Sequence, residues 1–130
     1  MTLLQAIAHC EGFYELNSRP QRNSNPGDLS WGSEAKAFGA THGDPRFAVF
    51  PNAVTGWKAL QSWLAIPAKF NASGELVGGY LGATLEQAIN RFAPPTENQT
   101  SIYVQTVCKN TGLTPSSRLT SFLLETPEAA

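Results

Sequence analysis

The sequence predicts a mainly α-helical domain with one long irregular loop and at most a minimal strand element. Three observations lead there. Apolar residues recur at three- and four-residue spacing in four separate segments. Two of those segments open on a threonine-x-x-glutamine capping box, Thr2/Gln5 and Thr84/Gln87. Between the first and second helical segments, the stretch from Asn17 to Asn52 is crowded with Asn, Ser, Gly and Pro and shows no helical period.

The first helix opens at Thr2 and is expected to run to about Tyr14, with Leu4 and Ile7 on its core face. The stretch after it contains Asn23-Ser24-Asn25-Pro26-Gly27-Asp28 and His42-Gly43-Asp44-Pro45, and a loop of this length is expected to bind something. Within it, Phe47-Ala48-Val49-Phe50 has the composition of a short strand.

Asn52 caps a second helix with Val54, Trp57, Leu60 and Leu64 on one face, which ends near Pro67 or continues past it with a kink. Gly74 and Gly78-Gly79 punctuate the next connection. The Thr84 box then opens a helix carrying Leu85, Ala88, Ile89 and Phe92, and Pro94-Pro95 stops it. A last long helix from about Glu97 carries Val104, Val107, Cys108 and Thr111 and ends at Gly112. Thr114-Pro115 would start a short segment with proline at its first helical position. One domain over residues 1–125 and a frayed tail over 126–130 complete the picture.

Glu11 is a candidate general acid. Lying four residues after Ile7 and seven after Leu4, it shares a face with residues that seek the core, so it should be partly desolvated. Burial disfavours the charged carboxylate and raises its pKa, which is what a general acid working near neutral pH requires. A surface or ion-paired glutamate near a helix end is the plainer alternative that spacing alone leaves open.

Composition narrows the rest. With 130 residues, 42% hydrophobic and 15% charged, the chain can bury a real core and is not disordered. Nine basic residues are scattered singly at a net charge of −1, so no nucleic-acid partner is expected. No apolar stretch reaches the length of a membrane span, and Met1 leads into an uncharged amphipathic segment rather than a signal peptide. His9, His42, Cys10 and Cys108 complete no ligand spacing, so neither metal nor cofactor is expected. The two cysteines read as small buried hydrophobes, and a disulfide between them stays open.

Ala8-His9-Cys10-Glu11-Gly12-Phe13 resembles the catalytic helix end of the lysozyme-like superfamily, in which soluble lytic transglycosylases and goose-type lysozymes place a glutamate before a small residue. Glu97-Asn98-Gln99-Thr100-Ser101-Ile102-Tyr103-Val104 is similar to the transglycosylases' late Glu-Thr-x-x-Tyr-Val segment, with two extra residues between Glu and Thr. Asn25-Pro26-Gly27-Asp28-Leu29, Gly56-Trp57-Lys58-Ala59-Leu60 and Ala93-Pro94-Pro95 are similar to small bacterial and phage proteins of this type. The resemblance covers roughly Leu4 to Leu113 and departs from the transglycosylases in two places. Their Gly-Leu-Met-Gln motif is replaced by the Asn25 loop, and their Ala-Tyr-Asn motif by Phe92-Ala93.

The resemblance implies a lysozyme-like fold that cleaves the β-1,4 bond between N-acetylmuramic acid and N-acetylglucosamine in peptidoglycan, with Glu11 as acid and then base. Attack by the substrate's own C6 hydroxyl would make it a lytic transglycosylase; attack by water, a lysozyme. A hydrolase usually needs a second carboxylate, for which Asp28, Asp44 and Glu34 are the loop candidates, with turn-forming roles as the alternative for Asp28 and Asp44.

Sugar contact would come from planar polar groups and aromatic faces: Asn23, Asn25, Trp31, Asp44 and Phe47 from the loop, and Tyr103 from the last long helix. Asn25 could instead form only an Asx turn, and Tyr103 could simply pack in the core. Trp57 and Trp63 read as structural.

The expected enzyme is a monomer that acts on peptidoglycan strands, hence periplasmic, secreted or phage-associated. The alternative is a phage virion or cell-wall protein that binds glycan in the same cleft without cutting it.

Overall fold

The Thr2 hydroxyl accepts the Gln5 N–H at 3.2 Å while the Gln5 side chain accepts the Thr2 N–H at 2.9 Å. In the computed structural model, which describes residues 1–127, this box opens α1 (Leu3–Glu11). Leu4 and Ile7 are buried on one face as their spacing requires. The helix stops at Glu11, three residues before the expected end near Tyr14. Gly12 adopts φ 84°, a left-handed conformation favoured by glycine, and the Gly12 and Phe13 N–H groups close onto the His9 and Ala8 carbonyls.

Among the described residues the architecture is mainly α, with six helices and two small antiparallel sheets. The stretch expected to be irregular holds two short helices, α2 (Arg19–Arg22) and α3 (Ser33–Ala37), and one hairpin. In that hairpin β1 (His42–Gly43) pairs with β2 (Ala48–Val49), so the expected strand forms and finds a partner. Ser18 caps α2 by accepting the Gln21 N–H, a signal too short to stand out by periodicity.

What orders this stretch is Asn25, which is fully buried. Its Nδ2 donates to the carbonyls of Leu29 at 3.0 Å and Ala48 at 2.9 Å, and its Oδ1 accepts the Leu29 N–H at 2.9 Å. The carboxamide thus ties the 25–29 turn to β2. The Ala48 N–H returns to the Leu29 carbonyl, and the Phe50 N–H to the Asn23 carbonyl.

Helix α4 (Ala53–Leu64) is capped by Asn52 as expected and ends at Leu64, before Pro67. Trp57, Leu60 and Leu64 are buried, but Val54 lies on the solvent side of the first turn and is 43% exposed. The glycine-punctuated connection that follows is a second hairpin, β3 (Lys69–Phe70) with β4 (Leu76–Gly78). Helix α5 (Leu85–Phe92) opens on the Thr84/Gln87 box. Thr100 donates to the Ala93 carbonyl, fixing the Pro94-Pro95 bend between α5 and α6 (Thr100–Thr111). Helix α6 begins three residues after the expected Glu97, because Glu97 and Asn98 still bond back to the Pro94 carbonyl.

The Thr114-Pro115 segment is a turn and strap rather than a helix start. Its Pro115 and Ser117 carbonyls accept the first backbone N–H groups of α5, Glu86 and Leu85. A 3₁₀ turn, Ser121–Leu124, closes the chain over α1. Thr126 and Pro127 are half-buried; the rest of the expected 126–130 tail lies outside the described residues. Helix α1 packs chiefly on α6 and also touches α4, so the two ends of the chain build one core.

Two glycines allow the 24–29 turn to sit directly on α4. A Cβ on Gly56 would lie 1.9 Å from the Ser24 carbonyl oxygen, and one on Gly27 would lie 2.6 Å from Leu60 Cδ1. The segments around Asn25 and Gly56, distant in sequence, are therefore two sides of one contact. Because the atom opposite Gly56 is backbone and cannot rotate away, Gly56→Ala is expected to destabilise the fold by about 3 kcal/mol or more, read as a lowered urea midpoint. A change under about 1 kcal/mol would mean that the turn can lift off α4.

Candidate active site

Glu11 ends α1 at the floor of a cleft of about 270 Å³. Gly27, Asp28, Leu29 and Ser30 form one wall. Trp63 from the end of α4, Tyr80 beyond β4, and Arg91 and Phe92 from the end of α5 form the other, with Pro94 and Glu97 at the rim. Tyr80 and Phe92 meet edge to face at 6.2 Å between centroids, and the Trp63 Nε1–H donates to the Tyr80 hydroxyl at 3.4 Å. Tyr80 is buried, so the aromatic surface of this wall comes from the half-buried Trp63 and Phe92, with the Arg91 guanidinium beside them.

The Tyr103 hydroxyl reaches Glu11 from α6 and donates to Oε2 at 2.6 Å. The Glu11 pKa is pushed up from 4.5 to about 7. Burial is the largest cause, the Tyr103 hydrogen bond opposes it, and the Asp28 and Arg19 charges act in opposite directions. Tyr103 is itself buried, which together with the Glu11 charge holds its phenol well above the usual range and keeps it a donor. Near pH 7 the site therefore holds a carboxyl that can give or take a proton.

Asp28 is the expected second carboxylate that the fold does bring to the cleft, and it is already engaged. Its side chain is 7% exposed, its backbone takes a left-handed φ of 48°, and both oxygens accept from the Arg19 guanidinium. Arg19 in turn stacks on the Phe47 ring at 3.5 Å, so Phe47 supports the ion pair instead of facing the cleft.

Other expectations are corrected. Asn25 does not contact the cleft, because its carboxamide is spent on the backbone. Asn23 is also buried, with its carbonyl on Phe50. Asp44 is exposed in the β1–β2 turn, where its N–H donates to the Phe47 carbonyl at 2.8 Å. Trp31 lines no part of the cleft; its ring lies over Gly43, where a Cβ would come within 2.7 Å of Cγ. Glu34 is exposed on α3.

Tyr103 is buried in the core as its helical spacing allowed, and it does not line the cleft; its hydroxyl instead meets Glu11 from beneath the cleft surface. Trp57 is structural, edge to face with Phe13, whereas Trp63 lines the cleft. Sequence reasoning missed Tyr80, Arg91 and Ser30. Trp63 stands one residue off the core stripe in the last turn of α4, the kind of position from which a large ring can leave the core.

Cys10 and Cys108 are free thiols; burial, then the Glu11 charge, raises Cys10 to about 11. A roomier groove of about 610 Å³ runs along α5 and α6, but Glu86 is its one ionisable group and it does not reach Glu11. No helix among the described residues is long and apolar enough to cross a membrane.

No protein-family model matches the chain, and no curated protein matches it either.

A folded pKa near 7 against an ordinary 4.5 means that the fold prefers protonated Glu11. Its contribution to stability is full below about pH 4.5 and is lost as pH rises through 7. Glu11→Gln should therefore flatten the pH dependence of unfolding between those values and leave the protein more stable than wild type above pH 7. Tyr103→Phe removes the hydrogen bond that favours the carboxylate, so carboxyl titration by NMR should find Glu11 higher still in that variant. A Glu11 midpoint at or below the ordinary value in the wild-type protein would contradict burial as the governing cause.

Proposed function

We propose that this protein cleaves the β-1,4 glycosidic bond between N-acetylmuramic acid and N-acetylglucosamine in peptidoglycan, as a lytic transglycosylase of lysozyme-like type. The observation that carries this reading is a half-buried carboxyl with a pKa near 7 on the floor of a cleft walled by Trp63, Tyr80 and Phe92. Aromatic faces suit the apolar faces of sugar rings, and the carboxyl suits an acid-labile bond.

In this mechanism protonated Glu11 gives its proton to the glycosidic oxygen as the C1–O bond breaks, releasing the next sugar as an alcohol. The cationic centre at C1 is stabilised by the substrate's own acetamido group. The Glu11 carboxylate, still hydrogen-bonded to Tyr103, then takes the proton of the C6 hydroxyl as its oxygen bonds to C1. An anhydro sugar forms and Glu11 is protonated again.

The intramolecular route is favoured over water because Asp28 is occupied by Arg19 and Glu97 stands exposed at the rim. Neither is a buried, free carboxylate that would hold a water against C1, whereas the C6 hydroxyl is tethered beside it.

Incubating the protein with sacculi and identifying the released fragments by mass spectrometry tests this reading. 1,6-Anhydromuramyl products are expected. Glu11→Gln should lower their release at least about a hundredfold while glycan binding persists, because the amide fills the same space without the proton. Activity should fall above about pH 7 as Glu11 deprotonates. Fragments with reducing ends, lost in Asp28→Asn, would instead assign a lysozyme in which the Asp28 pair opens on substrate binding.

A further inference from the structure

Among the described residues Arg91 is the one cation that lines the Glu11 cleft, and it also lines the adjoining depression formed with the β3–β4 turn at Gly74-Glu75-Leu76 and with Gln87 and Asn90. It is exposed and forms no ion pair; Arg19–Asp28 is the ion pair found among the described residues. Yet it is placed. Its guanidinium lies over the Tyr80 ring, 5.5 Å from the centroid, and Nη1 donates to the Val77 carbonyl at 3.5 Å. A guanidinium held over a ring and against a carbonyl has already given up part of its freedom, so it loses less when a carboxylate arrives.

The other ionisable groups of the two depressions are acidic: Glu11, Asp28 and Glu97 in the cleft and Glu75 beside the hairpin. Asp28 is neutralised by Arg19 and Glu11 is held largely protonated below about pH 7, so the free negative charges are Glu97 and Glu75, and Arg91 between them is where a carboxylate is attracted. A substrate that carries one is thereby held in a single register, with its sugar on the aromatic wall and its acid at the junction of the two depressions.

We propose that Arg91 is a specificity-determining residue that binds a carboxylate borne on the glycan, drawing the acidic branch of the sugar out of the cleft toward the β3–β4 hairpin. The inference rests on the glycan-cleaving reading of the same cleft and adds which strands it takes: carboxylate-bearing ones ahead of neutral N-acetylglucosamine polymers. The carboxylate has two sources, the lactyl group of an unsubstituted muramic acid or the glutamate of an attached peptide.

The test uses the Glu11→Gln protein, so that ligands stay intact, and follows binding through the Trp63 indole resonance. Three probes are titrated: N-acetylglucosaminyl-N-acetylmuramic acid with a free lactyl carboxylate, the same disaccharide amidated there by an alanyl-glutamate dipeptide, and neutral diacetylchitobiose. Whichever carboxylate reaches Arg91 should bind about five- to tenfold more tightly than chitobiose, as expected for a partly exposed but bidentate pair. Adding Arg91→Gln should bring that ratio close to one, and Arg91→Lys should keep part of it.

An advantage for the free-lactyl probe alone assigns the sugar's own acid, and one for the dipeptide probe alone assigns the peptide's. A ratio unchanged by Arg91→Gln, or the absence of any binding, overturns the proposal. Sacculi left uncut by the wild-type protein, alongside a ratio that still depends on Arg91, would remove the catalytic reading and keep the carboxylate site.

Discussion

The hydrogen bond from Tyr103 to Glu11 joins residues 92 positions apart and ties α6 to the end of α1 beneath the cleft. Its donor comes from α6 and its acceptor from the last turn of α1, the pair of helices with the most extensive packing in the molecule. The bond also has to be without company. A donor to a carboxylate lowers its pKa, and a cluster of such donors would fix Glu11 in the charged form and remove its proton. One donor, set against burial among apolar neighbours, holds the carboxyl in place and still leaves it near 7. Geometry and acidity are thus settled by the same contact, and everything between α1 and α6 in sequence is left to build the walls.

The wall on the loop side is firm although its composition suggests otherwise. A stretch rich in asparagine and glycine has few side chains for a core, so the Asn25 carboxamide does the work of one, bridging Leu29 and Ala48 from a fully buried position. Gly27 and Gly56 then permit an approach to α4 that no side chain would allow. Asp28 follows at a left-handed φ, where a short polar side chain is tolerated at modest cost, and Arg19 on Phe47 secures it. The residues that look most like sugar binders by type are therefore consumed in building the turn.

That distinction explains what the sequence discloses and what it hides. The capping boxes at Thr2 and Thr84, the Asn52 cap and the glycine stop at Gly112 are local chemistry, and each forms where the residues indicate. The half-burial of Glu11 follows from its three- and four-residue spacing to Leu4 and Ile7, again within one helix. The choice between binding and scaffolding at Asn25 depends on Ala48, a partner far along the chain, and periodicity carries no word of it. Strand β2 shows in its composition, but its partner β1 and the β3–β4 hairpin are hidden for the same reason, since segments of two or three residues have no pattern until they meet. Tyr80 and Arg91 belong to the site only because the β3–β4 hairpin and the end of α5 come together. Glu11 and Tyr103, 92 residues apart, meet only when α1 packs on α6, which no local pattern in either helix discloses.

The charges around Glu11 show how such an acid is kept steady. Asp28 raises its pKa and Arg19 lowers it, and because the two are paired with each other their effects on Glu11 oppose. What remains is burial, a cost of transfer from water that salt does not screen, opposed by a direct hydrogen bond that salt barely touches. An acid tuned instead by one unpaired neighbour would drift with ionic strength, and the cleft would lose its proton as conditions outside the protein changed. Pairing Asp28 with Arg19 therefore does more than occupy a carboxylate: it leaves the acidity of Glu11 to the packing of α1 against α6.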